Sequence, residues 1–437
     1  MFIYKMKSQM KILFFFFLIS LNIIYCKSLE KKFKSFADDD VIAVIATDTE
    51  SGLLESIEKL NKKGGTIYIN TPVINMVKAT SFTLEGKLSG GIIGVRQASG
   101  EYPRINFVHT DNKQQLIAGI SIYGSNKFIE YIIVENSLNY GISVIGSNNI
   151  LDHVISRYNH GSGFLVYGDF NNFNYCYSYR NCDANEYSVN GDGFMIAGES
   201  NNVFNYCFAW DNSNSGFNYV RIFNSSDLSY LHSGSWNNGN INVFTGRYDY
   251  NNGKPLDKNL WTIQEIIKSD ENFVSNYYNK NYNIENAIID KYKVNEWATL
   301  VNPKLDGNGF SFAIRNSSQS IDVKRISFSN VAFNNKAGGF IDNYNHKYNA
   351  FVTDCVSFNN GINYKLPYTL TKWSNNWSWN SKNKDQLKGN ASLNKPRNVN
   401  AAQRQFISVS EQIIQSVSAN MFPDGVNFDK VIGGLTM

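Results

Sequence analysis

Charge is scarce in this chain: Asp, Glu, Lys and Arg make up 18% of its 437 residues. The first 26 residues carry three lysines and no acid, so the remainder holds 38 basic residues against 37 acidic ones. A chain this close to neutrality lacks the basic field that nucleic acid requires. Long apolar runs are missing too. The longest, residues 12–24, falls short of the roughly 20 residues of a membrane span. It follows Lys5, Lys7 and Lys11 and ends near Cys26, the layout of a secretory signal peptide over residues 1–26. The expected address is therefore extracellular, with no membrane contact after cleavage. His153, His160, His232 and His346 show no metal-ligand spacing. No Asp-Asp or Gly-His-Gly phrase offers the paired acids of an inverting glycoside hydrolase, which stand ~6.5–9.5 Å apart. The apolar runs between residues 120 and 235 are too short for crossover helices, which excludes a doubly wound sheet.

What is present is repetition. Asn126, Asn149, Asn172 and Asn202 each precede an alternating apolar run, at intervals of 23, 23 and 30 residues. Gly141, Gly163, Gly193 and Gly216 recur at intervals of 22, 30 and 23. A third phrase reads small–aromatic–polar–Asn: Ala209 to Asn212, Ser235 to Asn238, Ala332 to Asn335, Ser357 to Asn360. Periods of this size, with short strands and Gly/Asn corners, predict a β-solenoid in which each coil stacks about 4.8 Å above the last. Equivalent positions in successive coils then touch. Cys176, Cys207 and Cys355 fall at one such position and are expected as an inward ladder of buried thiols; Asn residues at corners are expected to form amide ladders.

The flanking segments frame the solenoid. Thr47 and Glu50 predict a capping box opening a helix to about Asn61, with Leu53, Leu54, Ile57 and Leu60 on one face. That helix would plug the open end of the core. The repeat breaks over residues 240–303, where residues 260–268 and 272–278 read as short helices and residues 251–255 as a turn. The expected division is a β-helix over residues 38–365 carrying that insertion, a polar Trp-containing loop over 366–399, and a helical tail over 400–437. Sequons at Asn224, Asn316, Asn376 and Asn390 predict glycosylation in a eukaryotic secretory pathway.

Several phrases resemble polysaccharide lyase family nine, the secreted pectate lyases and exopolygalacturonate lyases. They are Asp192-Gly193-Phe194, Asn201-Asn202-Val203-Phe204, Asn212-Ser213 followed by Gly216-Phe217, Gly307 with Gly309-Phe310, and Gly339-Phe340 with Asp342. The resemblance covers roughly residues 120–365. It implies an all-β, right-handed parallel β-helix, a monomer acting on acidic plant cell-wall polysaccharide. The implied reaction is β-elimination. A calcium ion on the uronate carboxylate acidifies C5–H, a basic side chain removes that proton, and the glycosidic oxygen leaves. Carried over position by position, the calcium ligands would be Asp192, Asn214, Ser215 and Asn218, and the base position is Ser311. The family has Asp at all four ligand positions and Lys at the base; here only Asp192 is acidic and the Lys is absent. Arg221 and Arg315 are the substitute bases, because in an unbulged strand Ser311 and Arg315 share a side.

Each of these residues also has a plain reading. Asp192 suits a corner residue that bonds backbone in a Gly-flanked turn. Asn214 and Asn218 suit turn and ladder positions, and Arg221 and Arg315 suit exposed strand positions. Trp373, Trp377 and Trp379 suit a loop anchor or a sugar-stacking platform. Two functions follow: a pectate lyase-like enzyme acting on polygalacturonate, or a non-catalytic β-helix that binds glycans or presents an adhesive surface.

Overall fold

The computed structural model describes residues 41–107, 118–159, 161–181, 191–197, 201–219, 227–239, 307–312, 324–342, 349–366, 370–387 and 391–435, with short strand pieces between residues 242 and 301. The expected signal peptide, Cys182, Arg221, Arg315 and most of the expected insertion lie outside the described residues. The expected all-β parallel β-helix is what the chain forms. Ten strands, from Phe82–Leu84 to Gln386–Leu387, make one face in parallel register. A 19-stranded sheet supplies two more faces. Its strands Lys127–Glu135 and Ile150–Arg157 each run across both of these faces, whereas later coils divide there into two short strands.

The three faces meet at left-handed corners. Between the second and third faces this conformation falls on Tyr131, His153, Tyr175, Tyr206 and His232, with φ from 49° to 56°. Asn tolerates this region; Tyr and His pay about 1–2 kcal/mol for it. Ring stacking offsets the cost. Successive centroids lie 4.7, 4.7, 4.9 and 4.8 Å apart, and each such pair contributes about 0.5–1.5 kcal/mol.

The corner after the third face carries the expected amide ladder. Asn159, Asn181, Asn212, Asn238, Asn335 and Asn360 each donate or accept Nδ2–H···Oδ1 bonds of 2.9–3.1 Å with the coil next to them. The step from Asn238 to Asn335 spans 97 residues, yet its geometry matches the 25-residue step that follows. The long excursion between these coils therefore leaves the stack unbroken. Within it, Trp261–Thr262, which falls in the first expected helix, pairs instead as a strand with Asn242–Phe244.

Helix α1 (Glu50–Lys63) closes the N-terminal end with Leu53, Ile57 and Leu60 buried. The expected capping box does not form. The helix starts at Glu50, whose carboxylate accepts the backbone N–H groups of Val77, Lys78 and Ala79 on a neighbouring turn. The segment expected as a polar loop over 366–399 is instead largely a last coil, with strands Leu370–Ser374, Trp377–Trp379 and Gln386–Leu387. The Trp groups are structural there. Trp379 stacks on Phe358 at 4.7 Å, and Trp373 donates to the Ser392 carbonyl. Asn376, a sequon residue, is fully buried and donates to the Val352 carbonyl, so the folded chain cannot carry a glycan on it.

Helix α2 (Val399–Ser418) and helix α3 (Asp429–Leu435) cover the outer side of the third face. Arg157 ties this strap down: it pairs with buried Glu135 at 2.7 Å and reaches Asn420 Oδ1 and the Val417 carbonyl. Burial pushes the Glu135 carboxyl up, but the charges of Arg157 and Arg104 outweigh it and hold it below the usual range.

Cys176, Cys207 and Cys355 are buried free thiols. Each donates to a carbonyl of the preceding coil, as Ser233, Asn330 and Asn376 do in the same column. The ladder is therefore one of corner donors, in which a thiol, a hydroxyl and an amide do the same work.

Candidate functional site

The ten-stranded face places one outward side chain per strand in a single row. Register sets the order Ser121, Ser143, Leu165, Met195 and Asn218. The pairing of Phe217 with Phe310 then sets Ser311 beside Asn218, and Ile341, Lys365 and Gln386 continue the row. The row exists because the alternate residues, Phe164, Phe194, Phe217, Phe310, Phe340 and Tyr364, stack inside at 4.6–5.1 Å.

Four of the residues proposed from sequence meet on this flank. Asp192 is fully buried at the corner that opens strand Phe194–Ile196. Its Oδ1 accepts from Asn214 Nδ2 at 2.8 Å and from the Ser215 backbone N–H at 2.9 Å. Its Oδ2 accepts from Asn218 Nδ2 at 3.0 Å. Ser311 lies on the neighbouring coil and is 4% exposed. Arg221 and Arg315 lie outside the described residues.

The same corner recurs one coil either way. Ser162 Oγ accepts the Asp192 N–H, and Ser215 Oγ accepts the Asn308 N–H, both at 3.2 Å. Asp192 Oδ1 makes the equivalent bond to the Ser215 N–H. The corner reading of Asp192 thus accounts for the Ser215 N–H on Oδ1, and the amides of Asn214 and Asn218 add a donor to each oxygen.

A calcium ion needs six to eight oxygen ligands, several of them anionic. The donor set does not fit it. Asn214 and Asn218 aim N–H groups at Asp192, and the amide that donates turns its oxygen away. Among the described residues, no group of three or more His, Cys, Asp or Glu side chains is placed to hold a metal. Ser311 offers a hydroxyl where a base would stand, and His153 and His232 are both engaged in the distant ring stack. Sequence reading missed Lys365, which follows Asn363-Tyr364 just as Ser311 follows Gly309-Phe310. It stands two coils past Ser311, about 10 Å away, too far to act on a sugar held at Asn218.

Residues 43–254 match a family model described as Pel9A-like, right handed beta helix region. The chain is a right-handed parallel β-helix, similar over that span to the Pel9A-like region. This β-helix superposes on a pectate lyase, Pel9A, with a TM-score of 0.55 and 18% identity, covering 82% of this chain and 80% of that one. It superposes on a rhamnogalacturonan lyase with a TM-score of 0.52 and 16% identity, covering 81% and 86%. At these identities the likeness is one of fold. No curated protein matches it in sequence.

Proposed function

We propose that this lyase-like β-helix is a secreted, monomeric glycan-binding protein that engages pectic, uronate-containing polysaccharide along the ten-stranded face without calcium-driven β-elimination. The observation that carries this reading is the direction of the hydrogen bonds at Asp192: amide N–H groups stand where an eliminating site would need cation-binding oxygens. The pectate lyase and rhamnogalacturonan lyase that share the fold support a polysaccharide as partner. Pectate-type β-elimination, with Arg221 or Arg315 as base in place of the absent Lys, is the competing reading.

One assay separates the two. The secreted protein is run through gels containing polygalacturonate or rhamnogalacturonan, and also mixed with each polymer with calcium or with chelator. The expected result is retarded migration and no ultraviolet absorbance from an unsaturated product. Absorbance that grows with time would establish the enzyme reading. Unretarded migration in every acidic polysaccharide would end the binding reading.

A further inference from the structure

Asp192 carries more charge than its corner needs. Ser162 and Ser215 accept the next coil's backbone N–H with neutral hydroxyls, so a serine at 192 would serve the ladder equally well. A carboxylate with no exposed surface survives only if something replaces the water it lost, either a cation or a shell of N–H donors. The structure supplies the second. Asn214 Nδ2 and the Ser215 backbone N–H converge on Oδ1, and Asn218 Nδ2 meets Oδ2.

The amide orientation is fixed by chemistry. An ionised carboxylate only accepts, so turning either amide over would set oxygen against oxygen at hydrogen-bond distance. A hard cation entering this corner would have to break the hydrogen bonds donated by both side-chain amides and rotate both side chains. It would then find one formal negative charge among the four positions.

We propose that Asn214 and Asn218 stand in for a divalent cation at Asp192, so that this corner folds and keeps its shape without calcium. These two amides also decide the matter. Asn214→Asp with Asn218→Asp would place three carboxylates within contact of one another. Their mutual repulsion would create a calcium-dependent corner from a calcium-independent one. The proposal concerns the folded chain alone and stands whether or not a glycan binds the neighbouring row.

The test is thermal unfolding and titration calorimetry on the full secreted chain, with chelator or with millimolar calcium and no polysaccharide present. The wild-type melting temperature is expected to be the same in both, with no heat of binding. The N214D/N218D variant is expected to melt roughly 5 °C or more lower in chelator and to recover when calcium is added. A rise in the wild-type melting temperature with calcium, abolished by Asp192→Ser, would overturn the proposal. So would an N214D/N218D protein that calcium fails to restore. If that variant does not fold, Asn218→Asp alone carries the same expectation in smaller degree, and its indifference to calcium would count equally against the proposal.

Discussion

The first and third faces of the solenoid are built from the same alternating pattern with opposite phase. On the ten-stranded face the large rings, Phe194, Phe217 and Phe310, point inward and the non-aromatic residues between them, such as Met195, Asn218 and Ser311, point out. On the third face Ser178, Ala209 and Ser235 point inward, while Tyr179, Trp210 and Trp236 point out and stack at 4.5 and 5.1 Å. The interior explains the inversion. Ser156 and Ser178 reach across to donate to the carbonyls of Gly163 and Gly193 on the first face, at 2.7 Å each. A Cβ on Gly163 would collide with the Ser178 hydroxyl, so the two faces approach too closely for anything larger between them. The third face then carries its bulk outside and needs a cover, which Phe406 of α2, Ile432 of α3 and Phe428 just before α3 provide. The first face carries its rings inside, and its outer row mixes Ser121, Ser143, Asn218, Ser311, Lys365 and Gln386 with Leu165, Met195 and Ile341. One face is a second hydrophobic core; the outer row of the other keeps Asn218, Lys365 and Gln386 at least partly exposed, and these are the groups a glycan would meet.

This contrast can be broken most severely at the strap. Arg157→Ala removes one of the two arginine partners of buried Glu135, leaving Arg104, together with the tie to α2, and should cost up to about 3–5 kcal/mol in urea unfolding. A loss below about 1 kcal/mol would mean that the aromatic cover alone holds the strap. Next comes a matched pair of substitutions. Asn212→Ala strips the buried Asn181 backbone N–H of its acceptor and removes one of three acceptors around Asn181 Nδ2, and should cost about 1–3 kcal/mol. Ser311→Ala on the outer row should stay within about 1 kcal/mol of wild type and instead weaken retardation by polygalacturonate. Equal stability losses for the two would erase the distinction between ladder and surface.

The smallest expected effect depends on pH. Burial, then the neighbouring Asp152 carboxylate, pushes Glu130 up to about 7 from 4.5, with His153 opposing. A carboxyl raised on folding contributes stability that is fully present below pH 4.5 and lost as pH rises through about 7. Glu130→Gln should therefore raise stability at pH 8, by about 1–3 kcal/mol, and leave it unchanged at pH 4. Chemical denaturation at the two pH values measures this, and equal effects at both would place the cause in packing instead of charge.

Much of this was legible in the residues. The spacing of Asn149, Asn172 and Asn202 and the small–aromatic–polar–Asn phrase specify coils, and the ladder from Asn159 to Asn360 is that phrase made physical. The helical tail and the plug at α1 follow from periodicity. The capping box at Thr47 misled because Glu50 is used by another turn, a contact between segments 27 to 29 residues apart. Residues 366–399 read as a loop because their polar residues hide a coil whose Trp377 and Trp379 are covered by α2.

At the candidate site, sequence named the positions and the substitutions but not the directions. That Asp192, Asn214, Ser215 and Asn218 share one flank follows from the repeat period. Whether an amide turns its oxygen or its nitrogen toward a carboxylate depends on what else lies within about 3 Å.

The sequence by itself determined that this chain winds into stacked coils, because a period near 23 with Asn and Gly corners permits no other way to bury its alternating side chains. Only the tertiary structure decided which phase of the alternation faces inward, since that depends on how near the opposite face stands. It alone decided, too, that Asp192 is held by N–H donors, because burial makes the carboxylate take whatever partners the adjoining coil presents.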